Sequence, residues 1–166
     1  NTLFGPRNGY KDVAKMVIKQ TINDPFIRVI RDFDKSQSHK TLSLYYLDKN
    51  GEKVSLGHPG LYVIYRKIKG KLECLYVGQS GYSIHNRVRR FMQALEGTLR
   101  HDESHPGGEW AAMDGVKSSD QLYVKVMHLD DVKSLDEEFY NDIGYQRLDE
   151  YIAVILRSKY NIRRGR

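Results

Sequence analysis

Apolar residues recur along this chain in two rhythms. Between residues 10 and 21, Val13, Met16, Val17 and Ile18 fall near helical spacing and predict a helix. "PFIRVIRDF" (25–33) reads as a strand, and "TLSLYYLDKNGEKVSL" (41–56) as a hairpin turning at Asn50-Gly51. His58-Pro59-Gly60 breaks the pattern and divides an N-terminal extension, 1–58, from a core, 59–166. In the core, 61–66 and 72–78 form two strands around Lys69-Gly70. Ser83 is placed to cap a helix over 84–96, which Gly97 ends. Residues 107–113 fit a short helix, "QLYVKVMHL" (121–129) a strand, and 133–142 and 146–158 two more helices. This order predicts an α+β fold: a small, mostly antiparallel three-stranded sheet flanked by helices, with an N-terminal helix and strand extension.

At 166 residues the chain suits one domain with a small appendage. No apolar run approaches the roughly 20 residues of a membrane helix, and "NTLFGPRNGYKDVAK" lacks the apolar core of a secretory signal. The cytoplasm is therefore the expected compartment. Cys74 is the single cysteine, which excludes an internal disulfide and any cysteine-based zinc cluster. Net charge is +6, and its distribution matters more than its size. Arg66, Lys67, Lys69 and Lys71 crowd one turn; Arg87, Arg89, Arg90 and Arg100 follow the second strand; Arg157, Lys159, Arg163, Arg164 and Arg166 come last. Three basic runs around one hairpin point to a polyanionic partner.

A period of two puts Gly60, Tyr62 and Ile64 on one face of the first core strand, and Cys74, Tyr76 and Gly78 on one face of the second. In a chain with 12 tyrosines, two such residues would ordinarily be core rings with their hydroxyls at the rim. Their setting suggests more. "GLY" (60–62) followed by "YVG" (76–78), a helix carrying Arg87, and "LDEYIAVILRSKYNI" (148–162) occur in one order. Together they resemble the GIY-YIG nucleases over residues 60–162. The resemblance implies Tyr62 and Tyr76 as active-site tyrosines, Gly78 as a point of close backbone approach and Arg87 as the catalytic arginine. It implies Glu150 as metal ligand and Asn161 as a polar residue near the site. Asp149 and Glu138 compete for the carboxylate role; the spacing from Glu150 to Asn161 favours Glu150. Two departures stand out. Arg87 lies one residue later than usual, and Phe91 stands where the family often has a tyrosine or histidine. Tyr65, Tyr82 or His85 are candidates to replace it.

Phosphodiester hydrolysis needs an activated water, stabilised charge on the phosphate oxygens and help for the departing oxygen. Mg2+ or Mn2+ can be held by one carboxylate plus phosphate oxygens and water, which fits a lone Glu150. Arg87 offers a rigid fork of donors to a phosphate. An ordinary phenol is ionised about once in a thousand at pH 7. Tyr62 is thus either a perturbed base or a residue that aligns water. Lys67, Lys69, Lys71, Arg89 and Arg90 are expected to contact backbone phosphate. His101, His105 and Glu109 are spaced by four, but Pro106-Gly107-Gly108 is expected to interrupt a helix there, so a loop over the DNA is preferred to a zinc site. Residues 1–58 are either a reader of DNA sequence or a structural addition.

The expected function is a metal-dependent endonuclease on double-stranded DNA, leaving 5′-phosphate and 3′-hydroxyl ends. A type II restriction enzyme is preferred, which suggests a homodimer and a cognate methyltransferase encoded nearby. A structure-selective or phage-encoded nuclease, and a nucleic-acid-binding module with a decayed site, are the alternatives.

Overall fold

Strict alternation along "GLYVIY" (60–65) builds two hydrophobic layers from one strand. The computed structural model describes residues 12–19, 27–28, 30–33, 42–47, 50–118, 120, 122–128 and 148–161. Helix α1 spans 12–19; strands β1 (Ile27–Arg28), β2 (Ile30–Phe33), β3 (Leu42–Leu47) and β4 (Lys53–Ser55) follow. Next come β5 (Gly60–Ile68), β6 (Lys71–Ser80), α2 (Ile84–Glu96), α3 (Pro106–Met113), β7 (Leu122–His128) and α4 (Leu148–Ile155). The fold is α+β. Strands β7, β5 and β6 form the expected antiparallel sheet, and the short β1 pairs with the outer edge of β7. Strands β2, β3 and β4 make a second antiparallel sheet, so the run predicted as one strand over 25–33 divides between two sheets.

Tyr62 and Ile64 face one layer, with Ile84, Val88, Phe91 and Met92 of α2 and Ala111 of α3. Leu61 and Val63 face the other, with Val13, Ala14 and Val17 of α1 and Leu148, Ile152 and Ala153 of α4. The sheet is therefore covered on both sides. A side chain as fully enclosed as Phe91 contributes about 1.5–3 kcal/mol through burial. The N-terminal segment takes part in this core: α1 belongs to the second layer, and Leu56 to the first.

Local signals set the frame. Ser83 Oγ accepts from Asn86 N–H at the start of α2, and Gly97, at φ 71°, ends it. Lys69 and Gly70 both take positive φ, 51° and 78°, the requirement of the tight turn that joins β5 to β6. One expectation fails inside the hairpin. Ile64 pairs with Tyr76 but Tyr65 with Cys74, so Leu75 is an extra residue in β6. Leu75 and Tyr76 both pack into the first layer, and Cys74 turns to the second, away from the face of Tyr76 and Gly78.

Beyond α4, chain 158–161 lies along β6. Lys159 N–H donates to the Cys74 carbonyl at 3.1 Å and Tyr160 N–H to the Leu75 carbonyl at 3.0 Å. Among the described residues, no helix is long and apolar enough to cross a membrane.

Candidate functional site

Antiparallel pairing sets Tyr62 directly opposite Gly78, and Ile64 opposite Tyr76. Opposite residues share a face, so both tyrosines turn toward α2 and α3. A Cβ on Gly78 would lie 2.3 Å from Tyr62 Oη and 2.4 Å from its Cζ. The glycine thus makes room for the Tyr62 ring, which is what approaches the β6 backbone here. The two tyrosine rings are 6.3 Å apart. Tyr76 is enclosed in turn: its ring is 6.0 Å from Phe91 and 4.7 Å, edge-on, from His105. A Cβ on Gly107 would come within 2.6 Å of Tyr76 Cε1, so the first turn of α3 rests on that ring. At Gly108 the added atom would meet Ala94 Cβ at 2.8 Å, which lets α3 press against α2. Both glycines lie in the first turn of α3, which starts at Pro106 as the sequence leads one to expect, so His101 and His105 precede the helix and share no helical face with Glu109.

A cavity of about 430 Å³ opens over this arrangement. Tyr62, Tyr76 and Gly78 line it from the sheet, Arg87 and Arg90 from α2, Ser104, His105 and Pro106 from the start of α3, and Asp149 from α4. Gln79 completes the lining. Residues singled out in the sequence, namely Tyr62, Tyr76, Gly78, Arg87, Arg90 and the carboxylate candidate Asp149, are therefore brought together, with His105 beside them.

Electrostatics divide their roles. Burial, then the neighbouring Tyr76, push the Tyr62 hydroxyl well above the ordinary phenol range, and Arg87 only partly opposes this. Tyr62 stays protonated at neutral pH, so it is suited to orienting a water rather than to serving as a phenolate base. Asp149 is pushed up to about 6, chiefly by burial and then by the charge of Glu150. A cation beside it would relieve both effects. His105 is pushed down to about 4, first by burial and then by Arg87 and Arg90.

Other candidates lie elsewhere. Glu150 is exposed and does not line the cavity; Asp149, its competitor, does. Glu138 lies outside the described residues. Asn161 is a brace: its Oδ1 accepts from Val77 N–H and its Nδ2 donates to the Val77 carbonyl, both at 2.7 Å. Tyr65 packs in the opposite layer, Tyr82 projects into solvent and His85 is half-buried on α2; none lines the cavity. Phe91 is fully buried, so its position belongs to the core.

The basic residues also separate. Lys67, Lys69 and Lys71 are exposed at the hairpin tip. At the rise of an extended strand, that tip is about 20 Å from Tyr62. Arg89 instead forms a two-pronged contact with Glu103, at 2.9 and 3.2 Å, and Arg90 Nε lies 3.2 Å from the same carboxylate. Arg89 is thereby committed to holding the loop that precedes α3, while Arg90 pairs with Glu103 by charge and still lines the cavity. The hydrogen bond from Arg89 and the nearby guanidiniums bring the Glu103 carboxyl down to about 2. His101 and Glu109 are exposed while His105 is buried, and no three His, Cys, Asp or Glu side chains among the described residues are placed to hold a metal.

His105 was the residue hardest to place from sequence. Its signal is the order His-Pro before a helix, since position N1 favours proline and the residue before it is the cap. His105 Nδ1 accepts from Gly108 N–H at 3.0 Å, filling that role. Comparison of the chain with protein-family models, with curated proteins and with solved structures finds no match.

Proposed function

We propose that this protein is a metal-dependent endonuclease acting on double-stranded DNA, of the type II restriction kind. The observation that carries the reading is the convergence of Tyr62, Tyr76, Gly78, Arg87 and Asp149 on one cavity. These side chains come from a hairpin, a helix and a distant second helix, and they include Tyr62, Tyr76, Gly78 and Arg87 of the GIY-YIG resemblance, while Glu150 and Asn161 stand outside the cavity.

In this reading Arg87 donates to the non-bridging oxygens of the scissile phosphate. Tyr62, held protonated, orients the attacking water, and Tyr76 places its hydroxyl at the same cavity. The carboxylate in reach is Asp149, and its raised affinity for a proton fits a site that gains by receiving a cation. One carboxylate with phosphate oxygens and waters meets the coordination habit of Mg2+ or Mn2+. Such an ion, when bound, supplies charge stabilisation at the phosphate.

The test is incubation of the full chain with Mg2+ and several long DNAs, with products resolved on a gel. Discrete fragments are expected; a smear would point to a nuclease without sequence preference, and intact DNA would leave a binding module. Asp149→Asn should abolish cleavage while DNA binding persists, and Glu150→Gln should retain most activity. The reverse pattern would move the metal to Glu150 and leave the nuclease reading standing.

A further inference from the structure

We propose that His105, resting on the nuclease reading above, contacts the scissile phosphate as a neutral hydrogen-bond donor through Nε2–H. His105 lies on none of the strands or helices that carry the other site residues; it is the cap of α3. That duty fixes its chemistry. Nδ1 accepts the Gly108 N–H at 3.0 Å, so Nδ1 must keep its lone pair. In a neutral imidazole the hydrogen then sits on Nε2, and this is the nitrogen left for the cavity that His105 lines.

The ring is also held in orientation. Phe91 meets it nearly perpendicular, at 87° and 5.4 Å, and Tyr76 meets it at 4.7 Å. Gly107 acts on the ring only through Tyr76, since a Cβ there would stand 2.6 Å from Tyr76 Cε1. Turning the imidazole over would keep its plane but set Cδ2 against Gly108 N–H and so forfeit the cap. The groups that face it are Arg87 and Arg90 from α2, Tyr62 and Tyr76 from the sheet and Asp149 from α4. Burial and the two guanidiniums both oppose an imidazolium, in keeping with a ring that stays neutral at working pH.

A neutral imidazole with Nε2 protonated cannot accept a proton from water at that atom. It can donate a hydrogen bond to an oxygen on which charge develops, and a preorganised donor in a partly dry site is effective there. The direction of the donor is set before substrate arrives, because the cap has already chosen the tautomer.

Two variants separate this role from capping alone. His105→Asn keeps an acceptor near the Nδ1 position and removes the outward donor. His105→Gln keeps an amide N–H near the Nε2 position and gives up the cap. Single-turnover cleavage of a DNA duplex should fall about 100- to 1,000-fold in His105→Asn, the usual loss for one such donor. Its melting temperature should fall modestly, because the ring's packing is lost while the cap is kept, and less than that of His105→Gln. His105→Gln should melt lower yet cleave within about 10-fold of the wild type. Nitrogen NMR of the imidazole should show Nε2 protonated from pH 6 to 8, and inorganic phosphate should shift that signal. A fully active His105→Asn, in a wild-type enzyme that cleaves, overturns the donor role alone. A wild-type protein that leaves every duplex intact overturns the nuclease reading itself.

Discussion

Replacing Gly78 by alanine adds one methyl group at the floor of the cavity, and the structure gives its consequence. The new Cβ would sit 2.3 Å from Tyr62 Oη, 2.4 Å from Cζ and 2.8 Å from Cε1. Carbon contacts are comfortable near 3.5–4.0 Å, so the shortfall exceeds about 1 Å. Gly78 does not have positive φ, so its backbone accepts alanine and the obstacle is the ring alone. Tyr62 is only 2% exposed and belongs to the layer that holds Ile64, Val88 and Phe91, so its ring can turn aside only toward the cavity and at the cost of that packing. Overpacking of this kind costs about 1–3 kcal/mol, and the depth of overlap argues for the upper half. The stiffer unfolded chain returns about 0.4–1 kcal/mol. The net expectation is a loss of about 2 kcal/mol, read by urea unfolding with an unchanged m-value. Tyr62→Phe should not rescue it, because Cζ and Cε1 remain. In a Tyr62→Leu background the same alanine should be neutral or stabilising by about 0.5 kcal/mol, a coupling of at least 2 kcal/mol in the double-mutant cycle. If Gly78→Ala costs under about 0.5 kcal/mol alone, or costs the same in both backgrounds, the Tyr62 ring does not lie over the glycine.

Three further expectations concern charge and protons. Tyr62→Phe should lower single-turnover cleavage about 100-fold through loss of one placed hydroxyl. The ratio of wild-type to Phe rates should stay flat between pH 7 and 9, because a hydroxyl whose affinity for its proton is raised stays protonated there; a ratio climbing with pH would indicate a phenolate base. With Arg89 engaged by Glu103, the expected phosphate contacts are Lys67, Lys69, Lys71, Arg87 and Arg90, giving a log–log salt slope of about −4.5. A slope reduced by one unit in Arg89→Gln would show that arginine to be free for DNA after all. Glu103→Gln should destabilise the fold by about 3 kcal/mol, since it leaves mostly buried guanidinium groups without their anion. Because the Glu103 carboxyl is lowered from about 4.5 to about 2, its contribution is complete above pH 4.5 and lost as pH falls toward 2. Wild type and variant should therefore converge in acid denaturation; a constant gap down to pH 2 would contradict the pairing.

How far the sequence could be read depended on the range of the cause. Ser83, Gly97 and Lys69-Gly70 act within a few residues, and the elements they bound appear where expected. The alternation 60–65 likewise assigns Tyr62 to the cavity side. The extra residue Leu75 was hidden, because its carbonyl is satisfied by Tyr160 N–H and Ser158 Oγ, which are far along the chain. Arg89 and Arg90 looked like free cations because Glu103 reaches them only through the loop ahead of α3. The choice between Asp149 and Glu150 turns on the phase of one short helix, where neighbours differ by about 100°. Two adjacent acids give periodicity nothing to decide with. Asn161 was expected near the site; it touches the backbone one residue from each of Tyr76 and Gly78 and positions them from behind.

That brace also bears on how the protein meets other chains. Strand β6 is at the border of its sheet, where outward N–H and C=O groups would invite a strand from another molecule. At Val77 the Asn161 amide takes both groups, and at Cys74 and Leu75 the carbonyls receive Lys159 and Tyr160. The border is thus closed by the chain's own later segment, without a further strand. Assembly by strand addition along this stretch is blocked in the folded protein, and a second copy must dock through another surface. An Asn161→Leu variant would reopen the border, and its first symptom would be self-association.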